Sequence, residues 1–261
     1  MLEAFSLTKV ALSLILFAIA SHQDWEKREI EDKIWLTQGL GGGSITAVEL
    51  IYLSDVSLYQ VTLFSLILSL TLGFVLYHIG FVGGADAKAI WTLGLTFPYY
   101  PETFLIYPIL PIYPLFIFTI FENSLILSLT PAIYCLARNL VIRLGGEHLF
   151  TYEIPAWKKI ILLFTATKMF THKIDWRKTF PVERVDFSTQ PPRVTVEVFS
   201  KVTDEVEVDS LIKGVESGVL PQRVWISPGI PMIIFITLGL IVSILYGDLI
   251  LYVILRLLGF L

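Results

Sequence analysis

Charge is what this chain has least of. Only 16% of its 261 residues are Asp, Glu, Lys or Arg, where soluble domains carry about 25%. Apolar side chains make up 55%, and the mean hydropathy is +0.73. That balance excludes a water-soluble domain of this length. Cysteine is nearly absent too. Cys135 stands alone inside an apolar run, so no intramolecular disulfide and no CxxC pair can form; it reads as a buried thiol. The four histidines, His22, His78, His148 and His172, lack HExxH or paired-ligand spacing. The sequence therefore points to no metal and no cofactor. A Gly-x-Ser-x-Gly setting for a serine nucleophile is also missing, as are internal repeats and low-complexity tracts.

Long apolar runs are what the chain has in place of charge. A helix needs about 20 mostly apolar residues to cross the hydrocarbon layer. The pattern predicts spans over Phe5–Ser21, Ile34–Leu53, Tyr59–Ile79, a short one over Ala87–Phe97, one within Ile112–Ile142, and one over Ile230–Leu258. Ala18-Ile19-Ala20 also fits a signal-peptide cleavage pattern, but Glu3 beside the single Lys9 makes the start less basic than such a signal needs, so a permanent helix is expected. Gly39, Gly41, Gly42 and Gly43 suit close helix packing in lipid. Pro98, Pro101, Pro108, Pro111 and Pro114 mark an irregular outer loop.

With six spans, seventeen of the nineteen Lys and Arg residues fall on one side, and only Lys9 and Arg256 lie toward the other. Arg28, Lys33, Lys88, Arg138 and Arg143 sit close to helix ends, where basic residues count most toward the cytoplasmic side. Both termini are then outside. Between Leu144 and Ser227 hydrophobic density falls. Arg193–Phe199 alternates as a strand does, and Glu205–Val208 repeats the pattern weakly. Eleven basic and eleven acidic residues balance in this stretch, which argues against nucleic-acid binding. The expected fold is a membrane all-α bundle of about six transmembrane helices with a small cytoplasmic α+β domain inserted before the last helix. The membrane part covers 1–143 and 228–261, and the cytoplasmic domain 144–227.

Two carboxylates stand out, because charge near the membrane core is costly and usually functional or solvated. Asp24 follows the first span, and Asp86 lies where the fourth begins. The first and third spans run in the same direction, so both carboxylates reach one face at a similar depth. Gly80, Gly83 and Gly84 precede Asp86; glycine opens backbone angles closed to other residues and admits close approach of another strand. Two carboxylates sharing a proton can activate water, one as base and the other as acid.

The segment Asp24-Trp25-Glu26-Lys27-Arg28-Glu29-Ile30 resembles the Asp-x-x-x-Arg-x-Ile segment of archaeal preflagellin peptidases. Gly83-Gly84-Ala85-Asp86-Ala87-Lys88 resembles the second aspartate motif of that family and of the wider type IV prepilin peptidases. That motif is usually written Gly-x-Gly-Asp, and Ala85 stands here where its second glycine is expected. Pro228-Gly229-Ile230-Pro231 resembles the entry to the family's last helix. The resemblance implies a membrane aspartic endopeptidase with Asp24 and Asp86 as the catalytic pair and with Gly83, Gly84, Ala85, Lys88 and Arg28 around them. It implies cleavage of the short basic leader peptide of archaellin or pilin precursors at the cytoplasmic face.

Plainer roles also fit these residues. Asp86 suits an N-cap of the fourth helix, Asp24 an interfacial charge, and Lys88 a snorkelling side chain. Arg28 could pair with nearby acids or anchor the helix end. Glu26, Glu29, Glu31 and Asp32 could attract a basic leader or simply be solvated. His22 lies close enough in sequence to tune Asp24, and Asp248 reads as a structural residue within the last helix. A proton- or cation-coupled transporter using the same aspartates is the rival activity, and a non-catalytic membrane scaffold is a third.

Overall fold

The computed structural model describes residues 2–102, 108–151, 153–198 and 205–260. In chain order the helices are α1 (Leu2–Lys27), α2 (Asp32–Leu53), α3 (Val56–His78), α4 (Gly84–Thr96), α5 (Phe116–Leu127), α6 (Thr130–Leu144), α7 (Ala156–Thr165), α8 (Glu205–Glu216), α9 (Met232–Leu245) and α10 (Leu249–Leu257). The strands are β1 (Thr167–Phe170), β2 (Thr179–Pro181), β3 (Glu183–Asp186), β4 (Arg193–Val196) and β5 (Arg223–Pro228). The chain divides into two compact units. The first holds residues 1–128 and 231–261, and the second holds 129–230. The boundaries expected from composition were 143/144 and 227/228.

Among the described residues three segments are long and apolar enough to cross a membrane: Leu2–Lys27, Val56–His78 and Phe116–Leu144. The pair α9 and α10 makes a fourth if counted together, bent by 58° at the break. Six were expected. Two of those six fall short for physical reasons. Helix α4 has 13 residues, or about 20 Å at 1.5 Å per residue. Helix α2 carries Gln38 and Glu49 on its buried side, which lowers its hydropathy. The last span is not continuous either: Gly247 adopts φ +97, and Asp248 caps α10 by accepting from the Leu251 amide at 2.8 Å. Asp248 thus sits at a helix start, not inside a helix.

The first unit combines an apolar core with buried polar residues on its long helices and apolar residues on its outer surface. Ser6, Lys9 and Ser13 of α1, Gln38, Thr46 and Glu49 of α2, and Ser65 and Ser69 of α3 are buried. Ile15, Ile19, Leu36, Leu40, Leu63 and Phe64 face outward. Such interfaces let backbones approach closely and let polar groups bond across helices. Gln38 donates to Ser13 Oγ at 2.7 Å and to Thr96 Oγ1 at 3.0 Å, tying α1, α2 and the end of α4 together. Ser65 Oγ donates to the Gly94 carbonyl at 2.9 Å. A buried ion pair joins Lys9 on α1 to Glu49 on α2, and the Lys9 ammonium lies 5.2 Å above the Tyr99 ring. On the other side, α9 packs on α5 and α1. Ser21 and Thr237 hydroxyls meet at 2.8 Å, and Asn123 donates to Ser243 Oγ and the Gly247 carbonyl, both at 2.8 Å.

The second unit is built conventionally. Its three-stranded antiparallel sheet has the order β1-β5-β2, beside a β3-β4 hairpin. Trp225 stacks on Phe150 at 5.3 Å between ring centres and packs with Leu162, Val182 and Val196. The expected strand over Arg193–Phe199 is β4 as far as Val196; Phe199 lies outside the described residues. The strand expected over Glu205–Val208 is a correction, because these residues open α8. Val208, Leu211, Ile212 and Val215 recur at helical spacing, and Leu211 is fully buried. An alternation of four residues is too short to set the period against that longer pattern.

Two predictions follow from this packing. A Cβ on Gly239 would lie 2.1 Å from Ser124 Oγ and 2.8 Å from the Ser124 amide nitrogen. Overpacking against backbone costs roughly 1–3 kcal/mol, so Gly239→Ala should lower the thermal unfolding midpoint in detergent. Second, Glu183 is completely buried. Burial pushes its carboxyl up to about 7, against the opposing Trp225 amide and the Lys168 charge. A raised carboxylate contributes stability that is present below its ordinary range and lost as pH rises through about 7. Hydrogen exchange in β3 and β5 should therefore quicken between about pH 5 and about pH 8 after correction for intrinsic rates, by on the order of 2 kcal/mol. Glu183→Gln should flatten that change.

Candidate active site

Asp24 lies in the last turn of α1, half-buried. Its Oδ2 accepts the backbone N–H of Ile233 at 3.3 Å. Ile233 is in the first turn of α9, just after Pro231, where backbone amides have no partner inside their own helix. The carboxylate supplies one. Arg28 follows α1 in the left-handed region, with φ +59, a conformation that costs an L-residue about 1–2 kcal/mol. The chain there turns so that the guanidinium lies back along the helix, Nη1 3.9 Å from Asp24 Oδ1.

Asp86 is the third residue of α4 and is also half-buried. Its Oδ2 accepts the Gly83 N–H at 2.8 Å, so it does satisfy an amide at the helix start. The same end of the first unit holds both aspartates, close enough for the Asp24 charge to act on Asp86. Each carboxylate is thus fixed by an amide at the start of a different short helix, α9 or α4.

The glycines work differently from the sequence expectation. Of Gly80, Gly83 and Gly84, Gly80 alone uses a left-handed conformation, φ +70. Gly83 is ordinary extended backbone, with φ −77 and ψ 170. Its lack of a side chain matters because a Cβ there would come within 3.3 Å of Asp86 Oδ2. Gly84 has normal contact distance, 3.8 Å, to the Tyr77 ring. Ala85 packs against the apolar core of the unit.

Lys88 pairs with Asp32. His22 faces Glu26, 3.5 Å away on the exposed side of α1, and so points to a different partner from Asp24. Glu29 and Glu31 remain exposed beside this end of α1. Asp248 is bound into the α9–α10 break and belongs to another part of the unit. Among the described residues no group of three His, Cys, Asp or Glu comes together as a metal cluster would require. The Ile233 amide was not singled out from sequence, although a proline just ahead of a predicted helix marks where unpaired amides begin.

Two carboxyls that approach closely in a partly desolvated setting hold a single proton between them. Such a pair can take a proton from water with one member and give one to a leaving group with the other.

Comparison with known proteins places this geometry in context. Residues 11–136 match the model of the type IV leader peptidase family. Residues 158–249 match that of the archaeal peptidase A24 C-terminus, type II. The chain is 29% identical to a preflagellin peptidase of Methanococcus maripaludis over 91% of its own length and 93% of the relative's. It is 27% identical to one from Methanococcus voltae over 94% and 97% of the two lengths, and 25% identical to one from Methanocaldococcus jannaschii over 92% and 94%.

The Lys88–Asp32 pair can be tested on its own. The Asp32 side chain is 79% exposed, and ion pairs at such exposure contribute at most about 1 kcal/mol. Lys88→Met should leave the thermal midpoint of the purified protein within that margin, and raising the salt concentration should shift wild type no further.

Proposed function

We propose, since the chain belongs to the type IV leader peptidase family and is a protease of prepilin-like leader peptides, that Asp24 and Asp86 are its catalytic pair and that it acts at the cytoplasmic membrane face. The supporting observation is that two half-buried carboxylates from distant parts of the chain each accept a backbone amide at the start of a short helix of the first unit, Asp24 from α9 and Asp86 from the residue ahead of α4. The substrate is the precursor of an archaellin or a related pilin-like subunit, and the bond cleaved follows its short basic leader.

In this reading the ionised member of the pair removes a proton from water as the oxygen attacks the scissile carbonyl. The protonated member donates to the amide nitrogen as the C–N bond breaks. The products are a carboxylic acid and an amine, and the pair still holds one proton, now on the member that took it from water. The Ile233 and Gly83 amides orient the two carboxyls, and Arg28 braces Asp24. Exposed Glu29 and Glu31 beside the site would meet the basic residues of the leader.

Orientation follows from the basic residues. Arg28, Lys33, Lys88, Arg138 and Arg143 favour a cytoplasmic position for the end of the first unit that carries the aspartates, with both termini outside and six membrane crossings. Helix α2 and the shorter α4 would supply the two crossings that length and composition alone do not identify, beside the bent α9–α10 pair.

Purified protein in detergent should release a leader-sized fragment from an archaellin precursor. Asp24→Asn and Asp86→Asn should each reduce the rate by at least about 10²-fold while eluting and melting as wild type does. Cleavage that survives in either variant would remove that aspartate from the mechanism.

A further inference from the structure

Helix α7 has its polarity reversed for a helix outside the apolar spans. Leu162 is fully buried against the second unit's core. The opposite face, Trp157, Ile160 and Phe164, is 55%, 60% and 43% exposed. These positions follow i, i+3 and i+7, so they form one stripe along the helix. A surface helix in water would turn charge outward there. This one turns outward a large aromatic at its start and aliphatic and aromatic groups along its length.

The location of α7 shows what covers it. Asn139 on α6 donates to the Leu163 carbonyl at 3.1 Å and to the Ala166 carbonyl at 2.7 Å, which pins the end of α7 to α6. Helix α6 is the second half of the apolar segment Phe116–Leu144, and it exposes Ile133, Leu140, Val141 and Leu144. The bare stripe of α7 therefore lies on a helix pinned to another whose own apolar residues are exposed, in the same unit. Charge around it is basic. Arg143 ends α6, and Lys158 and Lys159 are in the first turn of α7. The Lys159 ammonium lies 5.6 Å from the Phe150 ring. Arg143 borders a hollow of about 400 Å³ lined by Leu140, Leu149, Phe150 and Leu163. The neighbouring Glu147 is already paired with Arg223.

We propose that α7 and the end of α6 form a docking surface for the anionic leaflet of the bilayer, with Trp157, Ile160 and Phe164 in the acyl boundary and Arg143 and Lys159 among lipid phosphates. Amphipathic helices lie in the interface when they combine an apolar face with basic flanks, and tryptophan favours the headgroup level. Anionic lipid adds an attraction of about 1 kcal/mol per basic residue near the surface. The second unit would then be held against the membrane by its own helix as well as by its connections to the first.

The test uses the full chain in lipid nanodiscs with a spin label at Ile160→Cys. Cys135 is buried and stays unlabelled, and a chain without the new cysteine provides the control. In discs containing phosphatidylglycerol, collisions of the label with oxygen should exceed those with a water-soluble nickel chelate several-fold. A label reached freely by the chelate places α7 in water and overturns the proposal. A label reached by neither reagent means that protein, from this chain or a second copy, covers the stripe, and overturns it equally. The oxygen-to-chelate ratio should fall in phosphatidylcholine discs, and Arg143→Gln with Lys159→Gln should remove that lipid dependence. A ratio indifferent to lipid charge would overturn the anionic part.

Discussion

A carboxylate taken partly out of water needs hydrogen-bond donors, and two of the short helices of the first unit, α4 and α9, begin where two such carboxylates lie. The first amides of any helix lack partners within it. Asp24 takes one from α9 and Asp86 takes one from the residue ahead of α4. Each need meets the other, so the carboxylates and the helix starts hold one another in place. The positive end of a helix dipole adds to this. The packing then follows: α4 lies against α3 and α2, and α9 against α5 and α1, because these contacts bring both helix starts to the same end as the last turn of α1.

Both helices are short. At about 20 Å each, α4 and α9 fall well below the roughly 30 Å of a hydrocarbon layer. Irregular backbone at membrane depth is tolerated only where protein surrounds it or water reaches it. Longer helices, α1, α2 and α3, give that cover, and small residues make it close. A Cβ at Gly42 would collide with Thr96, and one at Gly94 with Ser69. Placing short helices among longer ones lets their unpaired amides meet side chains at the end of α1 while protein surrounds the irregular backbone.

Much of this was legible in the sequence, unevenly. The apolar runs located α1, α2 and α3 closely, because lipid-facing helices must be apolar over their whole length. The short run after Asp86 marked α4 and its brevity. Shared running direction of the first and third spans was enough to expect Asp24 and Asp86 at one depth. Direction alone says nothing of hydrogen bonds, so the Ile233 amide and the Lys88–Asp32 pair had no signal beyond proximity to proline and to charge. The break before α10 did have one, Gly247-Asp248, a turn-forming pair inside an apolar run. Hydropathy averaged over a window hides it. In the second unit the alternation over Glu205–Val208 misled, since Leu211 and Val215, farther along, decide which side of α8 is buried.

The buried pair of Lys9 and Glu49 was missed for a related reason: each looks like a lone charge at the edge of its own span. Together they bear on how the protein is made. As α1 leaves the ribosome it carries an ammonium within its apolar length, and the carboxylate that neutralises it is 40 residues away on α2. An unpaired charge in a translocating helix resists release into lipid. The first two helices therefore have reason to wait for each other at the translocon and enter the bilayer together as a hairpin, which sets the topology of every later segment before that segment has been synthesised.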